Sequence, residues 1–165
     1  MRLSLTLVIL LAGLCLARPG FSQDAPPLSK GQSVYVPVYS SISHGNLGPT
    51  GKPASLLLSS MLSVRNTDPA ASFTITSVKY YDSHGTVIRE FITTPMAVAA
   101  MATKDFFIEH QDNVGGSGAN FLVTWSADKP LNPPLIEAVN AYFFGTQSIA
   151  FTSPGRPIRV PGDGH

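Results

Sequence analysis

Phe73-Thr74-Ile75-Thr76-Ser77-Val78-Lys79-Tyr80-Tyr81-Asp82-Ser83-His84-Gly85-Thr86 is the stretch that decides how this chain folds. Phe73 and Ile75 recur at period two, the spacing of a strand with one buried face. Val78 and Tyr80 fall on the opposite phase. One extra residue near Thr76-Ser77, a β-bulge, returns both to the core face. Asp82-Ser83-His84-Gly85 then reads as a hairpin turn in which Gly85 takes a positive φ. Thr86 to Thr93 returns as the partner strand.

Outward from that hairpin the same grammar repeats. The valines of Val34-Tyr35-Val36-Pro37-Val38-Tyr39 alternate, and Pro37, which has no amide to donate, places this strand at a sheet edge. Ser43 to Pro53 is dense in Gly and Pro and reads as an open loop. Leu56, Leu58, Leu62 and Val64 share one face of a strand ending at Arg65-Asn66, and Phe121, Val123 and Trp125 mark another. Ile149 and Phe151 form a last short strand before Pro154-Gly155. Two stretches stay open between helix and strand, 95–103 and 134–144. Pro95 suits a first helical position and Leu135, Val139 and Tyr142 fit helical spacing, whereas Val, Tyr and Phe favour strands. The sum is an all-β chain, an antiparallel immunoglobulin-like β-sandwich of about seven or eight strands.

The chain has 165 residues, 44% hydrophobic and 13% charged, with a formal charge of +1. That composition excludes a disordered polyelectrolyte, and the absence of a basic stripe argues against nucleic acid as a partner. Arg2 precedes an apolar run from Leu3 to Ala17, shorter than the roughly 20 residues needed to span a bilayer. A basic start followed by such a run reads as a secretory signal peptide over 1–22, cut after Ser22 with small Gly20 three positions back. Cys15 is the one cysteine. It belongs to the discarded run, because Leu14 stands where a lipidated cysteine has a small residue. Removing Arg2 and Arg18 leaves nine basic and ten acidic side chains, with no further span of membrane length. Residues 23–30 read as an extended tether, 31–158 as the sandwich domain and 159–165 as a tail. Export to the periplasm or cell envelope, soluble after cleavage, is the expected address.

Five motifs carry a family resemblance: Val34-Tyr35-Val36-Pro37-Val38-Tyr39-Ser40, Ser63-Val64-Arg65-Asn66-Thr67-Asp68, Gly115-Gly116-Ser117-Gly118-Ala119-Asn120-Phe121, Ile136-Glu137-Ala138-Val139, and Phe151-Thr152-Ser153-Pro154-Gly155-Arg156. In this order the chain resembles a bacterial exported family catalogued as domain of unknown function 3124. The resemblance implies an envelope location and brings no activity, cofactor or catalytic residue.

The candidate chemistry is sparse. Gly115-Gly116-Ser117-Gly118 is not a nucleophile elbow, since Ala119 occupies the last glycine place and a strand follows. It also lacks the Lys-Ser/Thr ending of a phosphate loop. Its amides can still hold an anion or carboxylate, so Gly115, Gly116, Ser117, Gly118 and Asn120, with Arg156, are the binding candidates. His44, His84 and His110 are weak metal candidates, because none has a partner at zinc-ligand spacing. Glu137 lies in an apolar stretch, where it is either buried with a cation such as Arg65 or Arg156 or points out at an edge. No nucleophile–base pair or cofactor fingerprint is readable. The expected function is therefore an exported, non-enzymatic binding or structural-interaction module without a cofactor, its partner an unknown envelope protein or small ligand. The alternative is a periplasmic metal-binding protein using histidine or methionine ligands such as Met61, Met96 and Met101.

Overall fold

A computed structural model describes residues 25–159; the expected leader 1–22 with Cys15, and residues 160–165 of the expected tail, lie outside the described residues. The described residues form strands and turns without a helix. In chain order the strands are β1 (Ser29–Pro37), β2 (Ser41–His44), β3 (Ala54–Leu57), β4 (Ser59–Arg65), β5 (Phe73–Tyr81) and β6 (Val87–Glu90). Then follow β7 (Met96–Val98), β8 (Thr103–Ile108), β9 (Asn120–Leu131), β10 (Leu135–Phe144), β11 (Gln147–Pro154) and β12 (Arg156–Ile158). The larger sheet runs β12-β1-β9-β5-β6, with β7 also on β5. A second sheet runs β11-β10-β4-β8, and β2 and β3 pair alone. Every pairing is antiparallel.

The all-β antiparallel expectation holds, with twelve strands in place of seven or eight. The surplus comes from β2, β8 and β12, which the sequence reading did not assign, and from β3, which it joined to β4. Strands β2 and β12, of four and three residues, turn at most two side chains inward and leave no period to read. Much of the expected open loop at 43–53 connects the β2–β3 hairpin. Both ambiguous stretches are extended: β7 lies in the first, and the second is β10, bonded by β4 on one side and β11 on the other. The face assigned to Leu56 through Val64 belongs to two strands, since the chain turns at buried Leu58 between β3 and β4.

The deciding stretch folds as expected. The register of β5 against β9 shifts between Ile75 and Ser77, and Phe73, Ile75, Val78 and Tyr80 are all buried. Gly85 closes the turn at φ 82°. The edge assigned to Pro37 is a correction of degree. Strand β1 lies between β9 and β12, but β12 covers only Ser33 to Tyr35, so Pro37 has a strand partner on one side alone.

One hydrophobic cluster joins the two larger sheets. Val34, Val36, Phe73, Ile75, Phe121, Val123 and Trp125 come from the first, and Leu62, Val64, Phe106, Ile108, Ile136 and Ala138 from the second. Each such side chain stabilises the fold by roughly 1.5–3 kcal/mol on burial. Trp125 packs edge-on against Phe73 at 5.5 Å, and its buried Nε1 has no hydrogen-bond partner. At Gly155 the chain leaves the second sheet and enters the first, its amide donating to the Ile136 carbonyl at 2.8 Å.

Polar side chains lock one end. Asn66 Nδ2 donates to the carbonyls of Ala71 (2.8 Å), Ala99 (2.9 Å) and Val98 (3.2 Å). Asp68 accepts from the amides of Ala70 and Ala71 through one oxygen and from Asn132 through the other. These bonds, led by the Ala70 amide, hold the Asp68 carboxyl below its usual range.

Candidate functional site

At the opposite end of β1 the chain continues through Val38, Tyr39 and Ser40, and this segment seats everything around it. The Val38 amide donates to the Ala119 carbonyl at 3.0 Å, and the Ser40 amide donates to that of Gly116 at 3.1 Å. Ser40 in turn accepts from the Leu58 amide at 2.9 Å, closing the base of the β2–β3 hairpin. Asn140, fully buried on β10, accepts from the Tyr39 amide at 3.1 Å and from Ser60 Oγ at 2.8 Å, and donates to Ser153 Oγ at 3.0 Å. A buried amide with its bonds made fixes geometry rather than awaiting a ligand.

On that base two hairpins stand side by side. The pairing of β10 with β4 stops at Ala141 opposite Ser59, while its pairing with β11 runs on to Phe144 opposite Gln147. Tyr142, Phe143 and Phe144 therefore project beyond the sheet. Between this projection and the β2–β3 hairpin lies a hollow of about 300 Å³, lined by Ile42, His44, Leu56, Tyr142, Gln147, Ser148 and Ile149. The Tyr142 ring sits 5.7 Å from His110 and 6.5 Å from Phe144. Phe143 and Phe144 are 74% and 76% exposed, and Leu47 in the loop of the other hairpin is 70% exposed. Apolar walls with a few polar groups suit an apolar moiety oriented by one or two hydrogen bonds.

The glycine loop singled out from the sequence lies against the same base, on the side of the larger sheet. Ser83 Oγ donates to the Gly115 carbonyl and accepts from the Gly118 amide, both at 2.9 Å. The Gly116 amide donates to the Asn113 carbonyl at 3.1 Å. Gly115 is buried against the Tyr80 hydroxyl, which shares a 2.8 Å hydrogen bond with Ser40 Oγ. Burial raises the Tyr80 pKa. Two of the loop amides are thus spent on fixing the loop, and Ser117 is exposed at its crest. Asn120 starts β9 between Pro37 and Tyr81, whereas Arg156 sits on β12 opposite Tyr35, on the far side of β1.

The histidines divide. His110 stands 5.7 Å from the Tyr142 ring, His44 lines the hollow, and His84 lies in the β5–β6 turn, its amide donating to Asp82 Oδ1 at 2.8 Å. Among the described residues no three His, Cys, Asp or Glu stand close enough to share an ion. Asp112 pairs with Arg89 at 2.7 Å, and Arg89 lies over the Phe91 ring. Glu137 meets Arg65 at 4.0 Å, a partly exposed pair on the outer face of the second sheet. Of the residues that line the hollow, the sequence singles out Tyr142, among its aromatic candidates for a partner patch, and Gln147 and Ile149, within a candidate interaction surface at Gly145 to Arg156; Ile42 and Leu56 it does not. A second, larger cleft of about 670 Å³ opens at the locked end, walled by Val34, Pro133, Pro134, Pro154 and Pro157.

The pattern of the family described as "Protein of unknown function (DUF3124)" matches residues 31–158, from the first strand to the last. The chain belongs to this family. A search of curated proteins gave no match to this DUF3124 protein. Among solved structures it is similar to the crystal structure of Thermotoga maritima 1070, at 7% identity and a TM-score of 0.42, over 78% of this chain and 96% of that one. Among the described residues, no helix is long and apolar enough to cross a membrane.

Proposed function

We propose that this DUF3124 protein is an exported, non-enzymatic binding module of the bacterial envelope. Its body is an immunoglobulin-like β-sandwich, and its hollow between the β2–β3 and β10–β11 hairpins receives an apolar group of a partner. The observation that carries this reading is the projection of Tyr142, Phe143 and Phe144 past the sheet that would otherwise cover them. Isolated exposed hydrophobics are ordinary, but exposed Phe144 stands 6.5 Å from Tyr142, which lines the hollow with Ile42, Leu56 and Ile149. Grouped aromatic anchors around a recess are where binding energy concentrates. The leader at 1–22 supports export, and the shared core of the two sheets supports the sandwich.

The test is photo-cross-linking in the living cell with benzoylphenylalanine at Phe144 and, as a control, at Lys79 on the outer face of the larger sheet. It is paired with native mass spectrometry of the protein purified from the envelope without chelator. A discrete adduct at Phe144 and none at Lys79, or a retained organic molecule lost in Tyr142→Ala, supports the reading. Neither adduct nor retained mass overturns it. A retained metal lost on changing His44, which lines the hollow, or His110, beside Tyr142, replaces it with a metal-binding role.

A further inference from the structure

Among the described residues, the free edges of the sheets are not alike. Strands β6, β7 and β12 are edges of three or four residues, and β12 also carries Arg156 and Pro157. The two edges longer than four residues close the second sheet on either side. On β8, Lys104 and Asp105 interrupt the edge. On β11, Gln147-Ser148-Ile149-Ala150-Phe151-Thr152-Ser153 carries no charged side chain and no proline before Pro154. Residues 147–150 and Thr152 are exposed. Natural edge strands are kept from pairing by charge, proline, bulges or shortness. Strand β11 has none of these over seven residues, and its ladder to β10 runs unbroken from Glu137 opposite Pro154 to Phe144 opposite Gln147.

We infer that β11 pairs with β11 of a second copy of this chain, antiparallel about a twofold axis at Ala150, joining two four-stranded sheets into one of eight. The strand is complementary to itself in that register. With Ala150 opposite its own copy, Ser148 faces Thr152 and Ile149 faces Phe151, each pair occurring twice. Ser148, Ala150 and Thr152 share the outer face with Ala141 and Val139 of β10, so the Ser–Thr pairs hydrogen-bond there. Ile149 and Phe151 form aromatic–aliphatic pairs on the inner face, where Phe151 already packs against Tyr39 at 5.5 Å. An uncharged strand brings no like charges together at the axis. A strand pair of this length buries a modest area, so the dimer is a weak, concentration-dependent one.

The pairing shares Ser148 and Ile149 with the wall of the hollow but does not involve Phe144, so Phe144→Ser leaves it intact. The test is sedimentation velocity on protein expressed from the full 165-residue sequence with its leader, over a wide concentration range. The expected result is a mass that rises towards twice that of the monomer. Ala150→Lys sets two ammonium groups against each other at the axis and weakens the dimer about tenfold or more. Ile158→Lys on β12 leaves it unchanged, and circular dichroism verifies that both variants fold. In a Cys15→Ala background, Ala150→Cys is expected to form an intermolecular disulfide under mild oxidation, because opposed Cα atoms in antiparallel strands lie within disulfide range. A monomer at every concentration overturns the inference. So does a dimer that Ala150→Lys does not weaken, or one in which the cysteines at 150 do not join.

Discussion

Two glycine-bearing turns flank the same segment, Val38 to Ser40, and use their glycines for opposite purposes. At Gly115 the backbone is pressed so closely to the Tyr80 hydroxyl that an added Cβ has no room, and Ser83 bonds the loop across both of its sides. At Gly145, between β10 and β11, an added Cβ meets nothing within 4 Å; glycine is there for its φ of 57°. The first turn is a buried joint in the fold. The second is a free tip carrying exposed aromatic rings. Glycine density therefore says little about where a ligand goes, whereas the neighbours of each glycine say a great deal.

The sharpest way to break the contrast is to add one methyl at each site. Gly115→Ala forces Tyr80 away from Ser40 or the loop away from Ser83, and is expected to cost about 3 kcal/mol, the upper end of overpacking penalties. Gly145→Ala meets only the left-handed backbone penalty, about 1 kcal/mol. Urea denaturation of both variants measures the difference. Equal losses would mean that the two turns are built alike.

A smaller effect tests the buried side alone. Tyr80→Phe leaves Ser40 Oγ without its partner, and a loss of about 1.5 kcal/mol is expected for an orphaned buried hydroxyl. The same variant changes the alkaline limb. Burial raises the folded-state pKa of Tyr80 above its ordinary value of 10.0. Its contribution is therefore fully present below that pH and lost as pH rises through the raised value. Above pH 10 the stability curves of wild type and Tyr80→Phe should converge. Parallel curves would show that the hydroxyl is not shielded. Smaller again, Ser83→Ala removes both bonds of an exposed side chain to the glycine loop, and a loss of about 1 kcal/mol is expected in the same denaturation experiment.

The buried half of this contrast was largely legible, because core formation writes itself in periodicity. Phe73, Ile75, Val78 and Tyr80 announce both their face and the bulge between them, and Asp82 to Gly85 announces its turn. The Arg65-Asn66-Thr67-Asp68 motif was visible as a motif, but not as a lock. Its bonds reach Ala99 and Asn132, far along the chain, and no local pattern encodes that distance. That Ile42 and Leu56 meet Tyr142 in one hollow was not legible, for a related reason. Ile42 and Leu56 sit on strands of four residues, and Tyr142 belongs to a stretch that fits helix and strand equally until β4 and β11 are seen to flank it. Glycine and serine at 115–118 attracted a binding role because anion loops use the same residues. Which way the amides point is decided by Ser83 and Asn113, and the sequence cannot show that.

The smallest expected change in stability is the most informative about function. Phe144 is already 76% exposed, so Phe144→Ser removes little apolar surface that folding had withdrawn from water. The shift in unfolding free energy should stay within about 0.5 kcal/mol, as for surface substitutions generally. A loss well above that would mean the tip is packed, and the contrast between the two turns would fail on its open side. With stability unchanged, the fate of the bound mass separates the remaining possibilities. If the purified variant no longer carries the molecule that the wild type retains, the exposed ring contributes to binding and not to folding. If it still carries that molecule, binding resides elsewhere, and the proline-walled cleft at the locked end becomes the next place to substitute.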